Sequence, residues 1–309
     1  MTDASAGKTR PRRFTVVDPG AIQTSLATSH ATKSQLTITY SIACRHYRRL
    51  DAPNKLALAR KDAESERPIG VRRLIKLPMT KLSSIILAAS APLVVVAFWP
   101  LYFSRPFSAI DQYTHLHALT GSLWFVLLIA QPLSIRARRY TLHRALGRCS
   151  YVLAPLFVLA GVLLSHHRLA SMSEATFAQE GYSHYLPFYA SVVFAAAYAL
   201  GLRYRRVPKA HGRLMLCTAI PLIDPVVGRV LFFYFPPLPS PWLYQVVTFG
   251  LATAAAGLLV FSYRGGLAPR RALVAYFVLL VALEVGWFTF SLTPPWLYAV
   301  AWFRSLPLT

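Results

Sequence analysis

Seven long apolar runs alternate with short polar breaks from residue 82 to the end of the chain. They are Leu82–Phe103, His117–Ile135, Gly147–Ser165, Tyr185–Leu202, Leu214–Phe235, Trp242–Tyr263 and Ala272–Leu292. Each is close to the roughly 20 residues that a helix needs to cross a bilayer. Backbone groups in hydrocarbon must bond within their own segment, so the runs are predicted to be helices, numbered spans 1 to 7. The pattern predicts an all-α, polytopic transmembrane helix bundle in a lipid bilayer.

The composition excludes a soluble enzyme for this part of the chain. Hydrophobic residues make up 55% of the 309 residues and charged residues only 14%, whereas soluble domains carry roughly 25% charged residues. The net charge of +22 would suit a nucleic-acid-binding protein. However, the basic residues lie in short clusters between the apolar runs, which is how membrane topology is encoded. We therefore expect no nucleic-acid partner.

Every second break between spans is rich in basic residues. The breaks after spans 2, 4 and 6 contain Arg136, Arg138, Arg139, Arg144, Arg148, Arg203, Arg205, Arg206, Lys209, Arg213, Arg264, Arg270 and Arg271. Loops rich in Lys and Arg stay in the cytoplasm. The pattern predicts a multi-pass protein of the inner (plasma) membrane, with the N-terminus cytoplasmic and the C-terminus outside. The end of the bundle with these three loops is called the basic-loop side.

Residues 1–78 have a different character. They contain 15 Lys or Arg and 6 Asp or Glu, and they show no long apolar run. The segment is expected to be a basic, disordered tail, or else the protein starts at Met79, directly before span 1. An organelle transit peptide is a further alternative, but acidic residues at 62, 64 and 66 oppose it. The transmembrane domain is accordingly predicted to cover residues 79–309.

Two of the basic loops resemble each other in sequence. Residues 136–150 read RARRYTLHRALGRCS, and residues 203–218 read RYRRVPKAHGRLMLCT. Each contains R-x-R-R, then a histidine (His143 or His211), and then a cysteine six residues later. The similarity is of the kind that duplicated segments show.

The resemblance extends upstream into the spans. His117 lies 19 residues before the first R-x-R-R, and His184 lies 19 residues before the second. We therefore predict an internal repeat of residues 111–165 and 182–236. Spans 2 and 3 would form one helical hairpin and spans 4 and 5 its copy, together making a four-helix core.

The repeated histidines are arranged as two stacked haem groups require. His117 and His184 fall at the outer ends of spans 2 and 4, and His143 and His211 at the inner ends of spans 3 and 5. A low-spin haem b takes two axial imidazoles from facing helices. The pairs would be His117 with His184 and His143 with His211. In this arrangement the chain resembles cytochrome b561-type proteins, whose two haems are held by histidines of the second and fourth and of the third and fifth helices.

That resemblance implies transmembrane electron transfer through b-type haem, with a quinone or another electron carrier as partner. If the protein is an enzyme, the resemblance implies a haem-dependent membrane oxidoreductase. Arg144, Arg148 and Arg213 would then neutralise haem propionates or bind an anionic or quinone substrate. The motifs H-x-H, Q-P and H-R-x-L-G-R also resemble a family of uncharacterised bacterial multi-helix membrane proteins, over about residues 82–235. That family has no assigned activity.

The histidines leave two other interpretations open. Five of them lie at the outer ends of spans 2, 3 and 4, namely His115, His117, His166, His167 and His184. Imidazole binds zinc, copper and iron, so this outer cluster could be a non-haem metal site. Alternatively, the histidines cap helix ends or meet lipid headgroups and bind no cofactor.

Three ionisable residues, Asp224, Arg229 and Glu284, lie inside the spans rather than at their ends. Charges in hydrocarbon are costly and usually paired or functional. Span 5 is expected to break near Asp224 because Pro221 and Pro225 flank it, and broken helices line transporter sites. A small-molecule or ion transporter or channel is therefore the alternative function. Arg229 and Glu284 lie at equal predicted depth, and we expect them to form an ion pair.

Overall fold

The computed structural model describes residues 79–309, so the predictions for residues 1–78 lie outside the described residues. In this range the chain forms ten α-helices and no strand. They are α1 (Met79–Phe98), α2 (Gln112–Arg136), α3 (Tyr140–Ala170), α4 (Glu174–Glu180), α5 (Tyr185–Arg203), α6 (Pro208–Cys217), α7 (Ile223–Tyr234), α8 (Pro241–Phe261), α9 (Leu267–Thr289) and α10 (Pro294–Arg304).

Seven segments of the described residues are long and apolar enough to cross a membrane, which confirms the predicted all-α polytopic bundle. They are Ser84–Phe103, Gln112–Arg136, Tyr140–Ala170, Glu174–Arg203, Pro208–Tyr234, Trp242–Phe261 and Leu267–Thr289. Their outward faces are apolar: Val152, Leu258 and Val278 are 70%, 74% and 59% exposed. A surface of this kind would aggregate in water, but it suits a hydrocarbon environment.

Two of the seven spans are interrupted by a turn of 3₁₀-helix. Span 4 joins α4 and α5 through residues 181–184, and span 5 joins α6 and α7 through residues 220–222. The predicted break in span 5 is confirmed, because Pro221 lies in this turn and proline has no N–H for a helical hydrogen bond. Asp224 does not cap the new helix, because α7 already begins at Ile223. Its carboxylate instead accepts a hydrogen bond from Thr248 on α8 at 2.7 Å.

The helices close into a ring. Each of the following packs against the next: α2, α3, α5, α9, α8, α7, α1 and then α2 again, with α6 against α5, α8 and α9. The two hairpins therefore meet along α3 and α5, and spans 1, 6 and 7 complete the bundle.

Two hydrogen bonds join the hairpins through equivalent positions. Ser150 and Thr218 each follow the cysteine of their repeat. The Ser150 hydroxyl lies 3.1 Å from the Tyr198 hydroxyl, and the Trp124 indole N–H donates to Thr218 at 3.2 Å. Each hairpin thus supplies one small hydroxyl side chain to an aromatic side chain of the other.

An aromatic layer lies between the hairpins and is formed by Trp124, Phe157, Phe194 and Tyr198. The Phe194 ring lies 5.0 Å from Trp124 and 5.1 Å from Phe157, and the Tyr198 ring lies 5.5 Å from Trp124, all between centroids. The edge-to-face geometry of these contacts is favourable for aromatic pairs. The layer fills the middle of the four-helix region with apolar rings.

Candidate cofactor sites

The histidine pairs lie on opposite sides of the aromatic layer. His117 is in the second turn of α2, and the Gln131 side-chain amide donates to the His143 carbonyl at 3.3 Å. Fourteen residues of α2 separate His117 from Gln131, which corresponds to about 21 Å along the helix. Trp124 is midway between them. We call His117 with His184 the outer site, and His143 with His211 the inner site.

At the inner site, His211 has a defined protonation pattern. Its Nδ1 lies 2.9 Å from the Gly201 carbonyl oxygen, so Nδ1 must carry the proton and donate it. In the neutral ring Nε2 then keeps its lone pair, as in metal-bound histidines whose other nitrogen donates to a carbonyl. His143 is within electrostatic range of His211, and its Nδ1 is buried without a hydrogen-bond partner, as is Gln131 Oε1.

At the outer site, the His117 ring is enclosed between α2 and α3. It stacks on Phe157, with centroids 5.0 Å apart and an interplanar angle of 17°. A Cβ atom at position 161 would lie 3.3 Å from its Cε1, so Gly161 provides the room for the imidazole. His184 directly precedes α5. Both histidines lie close enough to Arg168 for its positive charge to act on them.

Both outer imidazoles have a buried Nδ1 with no hydrogen-bond partner. Buried polar atoms are nearly always hydrogen-bonded, so unpaired ones need an explanation such as an ion or a ligand. Three of the four predicted haem ligands therefore have a buried Nδ1 without a partner. His211 differs, because its Nδ1 donates to the Gly201 carbonyl. Unpartnered imidazole nitrogens are chemically suited to bind iron or another imidazole-binding metal.

The three other outer-end histidines have different surroundings. The Tyr102 hydroxyl and the Phe107 carbonyl occupy both ring nitrogens of His115, each at 3.0 Å. His166 is 1% exposed; its Nδ1 lies 2.7 Å from the Thr309 hydroxyl, and its Nε2 is buried without a hydrogen-bond partner, as is Nδ1 of His117. The His167 ring packs against the ring of Tyr113.

The predicted cluster of five metal-binding histidines does not form among the described residues. No group of three or more His, Cys, Asp or Glu side chains is arranged to hold a metal ion within residues 79–309. The five histidines share one end of the bundle, but their side chains are divided among separate contacts with aromatic rings, a hydroxyl and a carbonyl. A metal site that uses fewer of them stays a prediction.

The predicted ion pair between Arg229 and Glu284 is wrong. Glu284 is buried and accepts hydrogen bonds from the Tyr189 hydroxyl at 3.2 Å and from the Thr253 hydroxyl. The Arg229 guanidinium lies over the Phe98 ring, 4.7 Å from its centroid. Equal depth did not bring the charges together because α7 packs against α1 and α8, whereas α9 packs against α5 and α8.

The arginines predicted for the inner face do not act as one set. Arg213 donates to the carbonyls of Leu259 at 3.1 Å and Ser262 at 3.3 Å. It therefore caps the end of α8, whose last carbonyls have no helical partner. Arg144 and Arg148 are exposed, and their role toward a propionate or an anionic substrate stays a prediction.

Gly161 and Gln131 were not predicted to be part of either the outer or the inner site. Gln131 lies fourteen residues after His117, close to four helical turns, so helical periodicity places it on the same face of α2. That spacing could have indicated its position beside the inner site. Nothing in the sequence pairs Gly161 with His117, because the contact depends on how α2 packs against α3.

Comparison of the chain with family models, curated proteins and solved structures gave no match. The class of protein therefore follows from the fold: this is a multi-pass integral membrane protein with seven candidate spans within residues 79–309.

Proposed function

We propose that this protein transfers electrons across a membrane through two b-type haem groups, one at the inner site and one at the outer site. The observation that carries the proposal is that His117, His184 and His143, which lie on the two sides of one aromatic layer, each have a buried Nδ1 without a hydrogen-bond partner. The resemblance to cytochrome b561-type proteins supplies the identity of the cofactor. A quinone or another electron carrier would be the partner in the inner (plasma) membrane.

The surrounding residues suit this role. His117 and His184 would hold the outer haem iron, and His143 and His211 the inner one; bound haem supplies one-electron redox chemistry. The carbonyl of Gly201 fixes the orientation and tautomer of His211. The aromatic layer places packed rings between the sites, and Gly161 leaves room for the His117 ring.

Single-histidine variants test the proposal through the absorption spectrum of purified, reduced protein. We expect His143→Ala and His211→Ala to remove one haem component, and His117→Ala and His184→Ala to remove the other, because low-spin haem b needs both axial ligands. His115→Ala is the matched control at the outer end, since both of its ring nitrogens already have protein partners. It should keep both components.

The proposal would be contradicted if the two members of a pair affected different components. It would also be contradicted if His115→Ala lost as much signal as His117→Ala. Gel filtration of each variant separates loss of cofactor from loss of the fold.

Transport is a second candidate function, and the polar contacts among spans 4 to 7 favour it. Glu284 is buried between two hydroxyl groups, and the break in span 5 places Asp224 against Thr248. Carboxylates inside a membrane commonly mark ion or proton pathways. Glu284→Gln distinguishes the candidates: under the haem proposal it keeps both spectral components, whereas under transport it abolishes ion uptake by reconstituted vesicles of colourless protein.

A further inference from the structure

Two open grooves lie on the basic-loop side of the bundle, and each is lined by arginines and apolar residues. The first has a volume of about 480 Å³ and is lined by Ala199, Leu202, Arg203, Arg205 and Arg206. The second has a volume of about 350 Å³ and is lined by Leu267, Arg270, Arg271, Val274 and Ala275. Each combines arginines at a helix end with apolar residues of the same helix.

The grooves belong to two helices that are held together. The Tyr204 hydroxyl, at the end of α5, donates to the Ala268 carbonyl at the start of α9 at 3.3 Å, and the two helices pack along each other. Both grooves therefore open at the same end of one helix pair.

The arginines of the grooves have no acidic partner within the part of the chain that the structure describes. The ion pair that the structure contains within residues 79–309 joins Arg304 to Glu174, and it lies at the other end of the bundle. The three basic loops contain no Asp or Glu at all. Arg205 makes one hydrogen bond, to the Tyr151 hydroxyl at 3.0 Å. These arginines are therefore available to an anion from outside residues 79–309.

The shape of the grooves indicates the source of that anion. Ala199 lies one helical turn, about 6 Å, deeper into the span than Arg203, and Ala275 lies equally far beyond Arg271. Each groove thus has a cationic rim at the predicted membrane surface and an apolar floor below it. Arginine binds phosphate oxygens through its planar array of donors. A soluble anion would use the rim alone, whereas a phospholipid uses the rim for its phosphate and the floor for its acyl chains.

We propose that these two grooves bind anionic phospholipid of the surrounding bilayer. The arginines at the end of α5 and the start of α9 hold the headgroup phosphate, and Ala199, Val274 and Ala275 contact the first carbons of the acyl chains. Basic pockets at the cytoplasmic ends of transmembrane helices provide suitable chemistry for such headgroups. The proposal does not depend on haem binding.

Spin-labelled phosphatidylglycerol, added to vesicles of phosphatidylcholine that contain the protein, provides the test. Electron paramagnetic resonance measures its association with the protein relative to spin-labelled phosphatidylcholine. We expect Arg203→Gln/Arg206→Gln and Arg270→Gln/Arg271→Gln to lower this relative association at least about tenfold. The matched control is Arg138→Gln/Arg139→Gln, which removes the same charge on the same side but lies in neither groove; its effect should stay below about twofold.

A third kind of variant keeps the charge and blocks the floor. Ala199→Trp should reduce the association of phosphatidylglycerol at the first groove, since the exposed Ala199 position would be filled by an indole. Equal losses in the groove variants and the control would overturn the proposal, because they would reflect general surface charge. Unchanged association in Ala199→Trp, or displacement by inorganic phosphate as effective as by the lipid, would overturn it as well.

Discussion

The two hairpins have histidines at equivalent positions, yet they are built differently. In the first, α2 and α3 are continuous helices joined by a tight turn at residues 137–139. In the second, both spans are interrupted by 3₁₀ turns, at residues 181–184 and 220–222. The two hairpins therefore share the spacing of their histidines but differ in where their helices are continuous.

The hairpins also differ in their surroundings. The first packs against α1 and the second hairpin, whereas α5 and α6 of the second share a buried cluster with α8 and α9. Within that cluster Tyr189 donates to the buried Glu284. The equivalent position in the first hairpin, 67 residues earlier by the spacing of His117 and His184, is the exposed Ser122. The second hairpin should therefore tolerate fewer substitutions.

The largest expected difference in the free energy of unfolding is between the Tyr189→Phe and Ser122→Ala variants. Hydrogen bonds between transmembrane helices average about 0.6 kcal/mol and reach about 1.7 kcal/mol, and a bond to a carboxylate belongs at the upper end. We expect Tyr189→Phe to lower the free energy of unfolding in mixed micelles by about 1.5 kcal/mol. Ser122→Ala should change it by less than about 0.5 kcal/mol. Equal effects would remove the distinction between a central and a peripheral hairpin.

The first turns of α2 and α5 provide the next test. The Asp111 side chain caps α2 by accepting from the Thr114 backbone N–H at 2.8 Å and from its hydroxyl at 2.7 Å, whereas α5 begins after His184 without a side-chain cap. Burial raises the pKa of Asp111, but the Thr114 hydrogen bonds, together with the charges of His167 and Arg168, outweigh it and hold the pKa below its ordinary value.

Because the folded-state pKa is lowered, Asp111 stabilises the protein above its unfolded-state pKa, and this is lost as pH falls through the folded-state pKa. We expect Asp111→Ala to cost about 1 kcal/mol at neutral pH. The difference from wild type should shrink under acidic conditions in thermal unfolding of detergent-solubilised protein. Thr114→Val keeps the hydrogen bond from the backbone N–H of residue 114 to Asp111. It should therefore lose less stability than Asp111→Ala, with the same dependence on pH. A pH-independent difference would refute the capping role.

The smallest predicted effect concerns the turns. Arg138 has a φ of 58°, a left-handed conformation that glycine adopts without steric cost. The turn is closed by the Arg139 N–H on the Ser134 carbonyl at 2.9 Å, as after many helices. Arg138→Gly should stabilise the protein by about 0.5–1 kcal/mol. The equivalent Arg205→Gly should destabilise it, because it loses the Tyr151 contact and gains freedom in the unfolded chain. If both substitutions changed the free energy of unfolding in the same direction, the two turns would be equivalent.

The sequence was sufficient for the spans and insufficient for the neighbours of individual side chains. Length and hydropathy fix where a helix crosses a bilayer, and Pro221 fixes where span 5 breaks. Equal depth failed to predict the partner of Glu284, because depth says nothing about which helices are adjacent. The hydroxyls of Tyr189 and Thr253, both neutral, satisfy the carboxylate instead. The contact of His117 with Gly161 and Phe157 likewise depends on packing between helices.

The haem content of the wild-type protein, purified from haem-replete cells, tests the central claim most directly. Two b-type haems per chain are expected, with the sharp α and β bands of low-spin haem after reduction, since each proposed site would supply two imidazoles to one iron. Colourless protein with no iron by elemental analysis would contradict the account.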